Sequence, residues 1–283
     1  MNHILPPGPV APEESARFAA AAGEVMRRPL SASQGAAGIG TLREKRLHAA
    51  LKLFVSPDTA CHEQVIPELA PDNSCKKADK VADVLLPDGH IYEIQTGGFY
   101  PLKRKLALYL AATDSPVTVV HPIAFTKYLS WLDPADGTVL SRNKSPKHGK
   151  VTDIAGELYW LSDFIGQPRF TLTLLFLDIE EYRFRDGWSR DGKRGSSRYE
   201  RFPTALVGKI ELKSAADYAE WFLPPSIGTQ PFTAAEYSRA SRIRGRAAYG
   251  VLHLLTRLGV LRETDEKIGR AQAFVRRSPS EQE

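Results

Sequence analysis

The chain has little cysteine, no long apolar run and no strong excess of charge outside its last segment, and each shortage removes a class of protein. Two cysteines, Cys61 and Cys75, cannot build a disulfide framework and their spacing fits no zinc pattern, so both read as ordinary thiols near a sheet. No apolar stretch reaches the length that spans a bilayer. Near the N-terminus only Phe18 to Ala22 forms an apolar patch, and the charges around it are not those of a secretory signal. The expected location is therefore the cytoplasm, with no membrane partner.

What is present is apolar material, 42% of 283 residues, sufficient for a domain of middle size and a small second one. The net charge of +5 is unevenly spread: from Phe232 to Arg277 ten Arg and Lys face four Asp and Glu, an excess of six. That concentration suits an acidic partner such as nucleic acid.

Composition divides the chain. Residues 1–40 are rich in Ala, Gly, Pro and Ser without sustained periodicity and read as a disordered tail, with room for a short helix around Ser15 to Met26. Residues 41–223 read as an α/β (α+β) domain, 224–277 as a small helical domain beyond Pro224-Pro225, and 278–283 as a tail. Thr41 opens a helix to about Phe54 with Leu47, Ala50, Leu51 and Phe54 as its buried stripe. Glu44, on the edge of that stripe, could face the sheet or could fold back on Thr41 in a capping box.

His62 to Leu69 reads as a first strand, Pro101 to about Ala112 as a helix, and Val117 to Ile123 as a buried strand of the β-α-β kind. A second hairpin is expected around Pro134-Gly137 and a helix from Asp153 to Ile165, followed by a strand, Leu172 to Leu177. Asp178, Glu180 and Glu181 follow it and are expected to be exposed at the strand end. Arg185 to Arg201 reads as a glycine-rich loop whose six basic residues, with Trp188 and Tyr199, could grip phosphates and stack bases. Leu206 to Leu212 and Ala215 to Phe222 read as a closing strand and helix.

The informative stretch is Lys80 to Thr96. Two apolar runs flank Pro-Asp-Gly-His, the composition of a hairpin of buried strands, and they carry Asp83, Glu93 and Gln95. Buried carboxylates are costly unless they are paired, hydrogen-bonded or metal-bound. Glu93 and Gln95 share one strand face. A two-residue Asp88-Gly89 loop would send Asp83 to the opposite face, whereas a three-residue loop with left-handed Gly89 would pair Leu86 with His90 and set Asp83 opposite Glu93, Cβ atoms roughly 5 Å apart. Pro favours the first central position of a type I turn and Gly the left-handed site, which supports the longer loop. Two such oxygen donors suit Mg²⁺ (or Mn²⁺) rather than zinc.

Asp83, the hairpin, Glu93-Ile94-Gln95 and the preceding helix with Glu44 together resemble the core of the PD-(D/E)XK, or restriction-endonuclease-like, nuclease superfamily over roughly Leu42 to Pro122. The resemblance implies a mixed sheet flanked by helices, metal ligation by Asp83 and Glu93 with Glu44 completing or supporting the site, and a water-orienting role for the third position. That position usually holds Lys; here it is Gln95, which cannot take a proton or carry charge. Lys103, Arg104 and Lys105, in the first turns of the next helix, could hold a phosphate, or one of them could supply the missing charge. Val81 to Lys105 and Gly187 to Pro203 also look like a bacterial protein family of unassigned function.

From Phe232 the pattern is a short helix, a tight turn, a longer helix ending at Gly259, then two short strands. This segment is similar to winged helix-turn-helix domains, in which the start of the second helix, here Arg242, Arg244 and Arg246, meets the DNA major groove. The same fold also serves protein contact, and a homodimer is compatible with it. The expectation is a metal-dependent nuclease targeted to DNA by its winged helix; the rivals are a non-catalytic DNA-binding regulator and a partner-binding protein.

Overall fold

The computed structural model describes residues 6–27, 46–71, 76–188, 194–227 and 230–277. Its centre is a seven-stranded mixed sheet. β1 (His62–Val65), β2 (Val81–Leu85), β3 (Ile91–Ile94), β4 (Val117–Leu132), β6 (Phe170–Trp188) and β7 (Arg194–Leu212) lie side by side in that order, and β5 (Val139–Lys144) pairs with β4 beyond the end of β3. β3, β4 and β6 run parallel and all other neighbours antiparallel. The fold is thus a mixed α+β sheet flanked by helices.

Each face of the sheet is apolar and covered. On one face α3 (Leu102–Ala112), α4 (Leu158–Leu161) and α5 (Ala215–Phe222) bury Leu106, Tyr109, Leu158 and Phe222 against Ile91, Val119, Leu172 and Leu174. On the other, α1 (Pro12–Arg27) and α2 (Arg46–Val55) bury Phe18, Leu51 and Phe54 against Ile94, Val120, Leu175 and Leu177.

Residues 12–27 therefore do not belong to a disordered tail. Phe18, Ala21, Ala22 and Val25 recur at helical spacing and are fully buried, so the small side chains that mimic low complexity are what let α1 pack closely. Pro7-Gly8 runs along β7 so closely that a Cβ on Gly8 would sit 1.9 Å from the Lys209 carbonyl oxygen.

Two further expectations change. β4 does not stop at Ile123 but continues to Leu132, because Pro122 falls where neither β3 nor β5 pairs with it and its missing N–H costs the sheet little. The segment after Leu177 is likewise strand rather than strand end, and most of the expected loop at 185–201 belongs to the β6–β7 hairpin; residues 189–193 lie outside the described residues. Glu181 is consequently buried, held by Arg183 at 2.6 Å and Arg201 at 3.2 Å, while Glu180 on the opposite face takes Arg142 at 2.8 Å. The expected helix over Asp153 to Ile165 is reduced to a short 3-10 turn and α4.

Beyond α5, β8 (Phe232–Thr233), α6 (Ala234–Ser241), α7 (Arg246–Arg257), β9 (Leu261–Glu263) and β10 (Ala273–Arg276) form a strand-helix-helix-strand-strand unit. Thr233 caps α6 in a reciprocal pair with Glu236, and Gly259, at φ +73°, follows α7. The unit has no separate core: Val251, Leu254 and Leu255 of α7 are continuous with the apolar cluster around α3, α4 and α5.

Candidate active site

The β2–β3 turn has three residues. The Leu86 N–H donates to the His90 carbonyl at 3.0 Å, Gly89 is left-handed at φ +86°, and the Asp88 carboxylate accepts from the His90 N–H at 3.0 Å. Val84 lies opposite Tyr92 and Leu85 opposite Ile91, a register whose next positions are Asp83 and Glu93. The β2–β3 ladder ends there, so the two strands part at Asp83 and Glu93, while β3 keeps its pairing to β4 on the other edge through Ile94–Val120 and the Gln95 N–H donates to the Val120 carbonyl at 2.9 Å. The two carboxylates sit in this fork, at the C-terminal end of β3 and level with the first residues of β4 and β6.

Helices on both sides converge on them. Asp83 accepts from the backbone N–H of Ile94 at 2.7 Å, filling the ladder position the divergence leaves open, and meets Nε2 of His48 on α2 at 3.4 Å. Burial alone would raise the Asp83 carboxyl, but the bond and charge of His48, the charge of Lys105 and the Ile94 N–H together hold it below the usual carboxylate range.

Glu93 is 2% exposed. Nζ of Lys105, on α3, lies 2.7 Å from each of its oxygens, and the Tyr109 hydroxyl is 3.0 Å from Oε1 and 2.9 Å from the Val81 carbonyl. Desolvation dominates nonetheless: it pushes the Glu93 carboxyl up to about 7, opposed by Lys105 and the Tyr109 bond and reinforced by the charge of Asp83. Two neighbouring carboxyls thus titrate far apart, one ionised and one poised near neutrality, an arrangement common at functional sites.

Among the three basic residues at the start of α3, only Lys105 reaches the fork. Lys103 pairs with Asp163 at 3.0 Å and Arg104 with Asp79 at 3.1 Å. The Gln95 side chain donates to the Gly98 carbonyl and so braces the turn that ends β3, while its backbone carbonyl is 2.6 Å from Nδ1 of His121. Glu44 lies outside the described residues. Arg242, Arg244 and Arg246 are all exposed around the turn into α7, with Arg242 left-handed at φ +62°.

Sequence reasoning missed His48 and Tyr109. Tyr109 stands four residues after Lys105, on the same face of α3, a spacing that could have drawn it in; His48 is a single imidazole with no partner nearby in sequence. Among the described residues no three His, Cys, Asp or Glu side chains gather closely enough to hold an ion. Asp83 and Glu93 are nevertheless hard oxygen donors on neighbouring strands, a set that fits Mg²⁺ with water or phosphate completing the shell.

Comparison with known proteins places this fork inside a recognised unit. A family described as a domain of unknown function, DUF8091, matches residues 45–213, which include both carboxylates, His48, Lys105 and Tyr109. An uncharacterized protein of Treponema pallidum (strain Nichols) is 31% identical over 181 residues, covering 64% of this chain and 64% of its own length. No solved structure matches.

Proposed function

The chain belongs to the DUF8091 family, and we propose that it is a metal-dependent nuclease of the PD-(D/E)XK kind, hydrolysing phosphodiester bonds in DNA. The observation that carries this reading is the fork itself: neighbouring Asp83 and Glu93 where β2 and β3 part, with the ammonium of Lys105 at 2.7 Å from Glu93. Lys105 brings from the helix the charge that Gln95 lacks.

Asp83 and Glu93 would hold Mg²⁺ or Mn²⁺, which when bound would acidify a water and offset phosphate charge. Ionised Asp83 supplies a permanent anionic ligand, and Glu93 becomes one as it loses its proton. Lys105 is placed to move from Glu93 to a phosphate oxygen as the site fills. Tyr109 holds Oε1 in place and Gln95 fixes the Gly97-Gly98 turn beside the opening. In the same reading the C-terminal unit is a winged helix-turn-helix, supported by its element order and by exposed Arg242, Arg244 and Arg246 before and at the start of α7.

One observation favours a non-catalytic DNA-binding role instead: both oxygens of Glu93 already have donors. Incubation of the purified protein with plasmid, single-stranded DNA and RNA, with and without Mg²⁺ or Mn²⁺, separates the readings. The nuclease reading expects metal-dependent cleavage that disappears in Asp83→Ala and Glu93→Ala. Cleavage that persists in both variants refutes the site; duplex binding with steep salt dependence and no cleavage favours the non-catalytic role.

A further inference from the structure

The segment that carries Glu93 and Gln95 leads, five residues beyond Gln95, to Tyr100, which is 65% exposed. Tyr100 packs edge-on against Trp160 with centroids 4.7 Å apart, and Trp160 in turn packs edge-on against Tyr159 at 5.2 Å. Tyr159 is itself 55% exposed, whereas Trp160 is half-buried against the main core. The ridge is therefore anchored at its middle and open at both ends.

Its far end adjoins α7. A Cβ on Gly250 would lie 3.9 Å from that of Tyr159, and one on Gly156 would lie 3.9 Å from that of Ala247, so small residues bring α4 and α7 together. Tyr249, next to Gly250, is 64% exposed. The near end is tied to the candidate site: Glu157 accepts the Phe99 N–H at 2.7 Å and Gln95 bonds Gly98. Asp163 joins the helices that flank the ridge, binding Lys103 of α3 at 3.0 Å and Arg257 of α7 at 2.8 Å.

Single exposed tyrosines are ordinary on a protein surface. Two of them on one anchored tryptophan, with a third, Tyr249, on the adjoining helix, between a carboxylate-lysine site and an arginine-rich turn are a different arrangement. Flat rings that expose their faces or edges beside cations match the chemistry of unpaired bases on a phosphate backbone, where every base offers a π-face and every linkage a negative charge. Bases inside a duplex are stacked on each other and cannot use such a surface.

We infer that Tyr100, Trp160 and Tyr159 form a stacking platform for single-stranded nucleic acid, which guides an unpaired strand between the Asp83–Glu93 fork and the Arg246 end of α7. This deepens the nuclease reading and rests on it for the fate of the strand, but binding can be tested without cleavage.

Fluorescence anisotropy in EDTA, with labelled oligo(dT), oligo(U) and a duplex of about 20 nucleotides each, reads the affinity directly. The expected result is binding of one or both single strands, with tryptophan emission quenched on binding. Tyr100→Ala and Tyr159→Ala should each weaken that binding between about fivefold and about a hundredfold, while Tyr100→Phe and Tyr159→Phe stay close to wild type. Both tyrosines are exposed, so thermal melts of the Ala variants should match wild type. No single-strand binding, or Ala variants with wild-type affinity for single strands, would overturn the platform. If single strands bind through these rings yet are not cut with Mg²⁺ or Mn²⁺, the platform stands and the nuclease reading fails; metal-dependent cutting with unchanged affinity in the Ala variants gives the reverse.

Discussion

Replacing Lys105 by Met removes the ammonium from Glu93 while keeping most of its packing, and the consequence depends on pH. Glu93 has an ordinary value of 4.5 and is raised by burial to about 7 in the fold. A carboxyl whose folded pKa is raised contributes stability that is full below the unfolded value and is lost as pH rises through the folded one, here about 3 kcal/mol between the two. In the wild type the loss then stops, because Lys105 stabilises the ionised form. In Lys105→Met only the Tyr109 bond opposes desolvation, so the folded pKa moves above 7 and the loss continues. The two proteins should therefore be similarly stable near about pH 5, where Glu93 is protonated in both, and should diverge above about pH 7 by roughly 1 kcal/mol for each pH unit until the new pKa is passed. Urea unfolding of both proteins at several pH values between about 5 and 9 measures this, and taking the difference cancels titrations they share. A stability gap that is the same at every pH would show that Lys105 acts by packing alone and that Glu93 is not the group it serves.

Three other substitutions probe separate parts of the structure. Tyr109→Phe removes a bond that lowers Glu93, so the pH at which activity rises, expected near about 7 in the wild type, should move upward by less than about one unit in a pH-rate profile; an unmoved midpoint would exclude Tyr109 as a positioning residue. Tyr218→Phe deletes a buried hydroxyl that has no hydrogen-bond partner among the described residues, and calorimetry should find it neutral or stabilising by about 1 kcal/mol, with clear destabilisation counting against this picture. Gly8→Ala should lower stability by at least about 1–2 kcal/mol, since Gly8 has φ +74° and faces the Lys209 carbonyl, and a wild-type melting temperature would mean that the contact does not form.

The parts of the fork that were legible in the sequence rest on local rules. Pro87-Asp88-Gly89 fixes its turn type by backbone preference alone, and the register of Asp83 against Glu93 follows from that turn. Of Lys103, Arg104 and Lys105, only the direction of α3 against the sheet could select the third. His48 gave no pattern at all, because its partner, Asp83, lies on another element far along the chain. The long strands were obscured for a different reason. Pro122 argues against a strand locally, and Glu180 and Glu181 look like a polar end; both sit comfortably mid-strand because the sheet leaves one position unpaired and supplies arginines to the others. The Ala-rich N-terminal region misled because low-complexity composition and a closely packed helix use the same small residues.

The contact between α1 and β7 also sets an order of events. Glu14 binds Lys209 at 2.8 Å across 195 positions of chain, and Phe18 is buried beside Phe54, Leu175 and Leu206. A helix that precedes the whole sheet in the chain thus completes its native contacts only after β7 has been made. Until then Phe18 and Val25 have lost part of their native cover, and the α2 side of the sheet stays open. Folding of this unit should accordingly be slow and all-or-none, and chains truncated before β7 should not settle into a partly folded form.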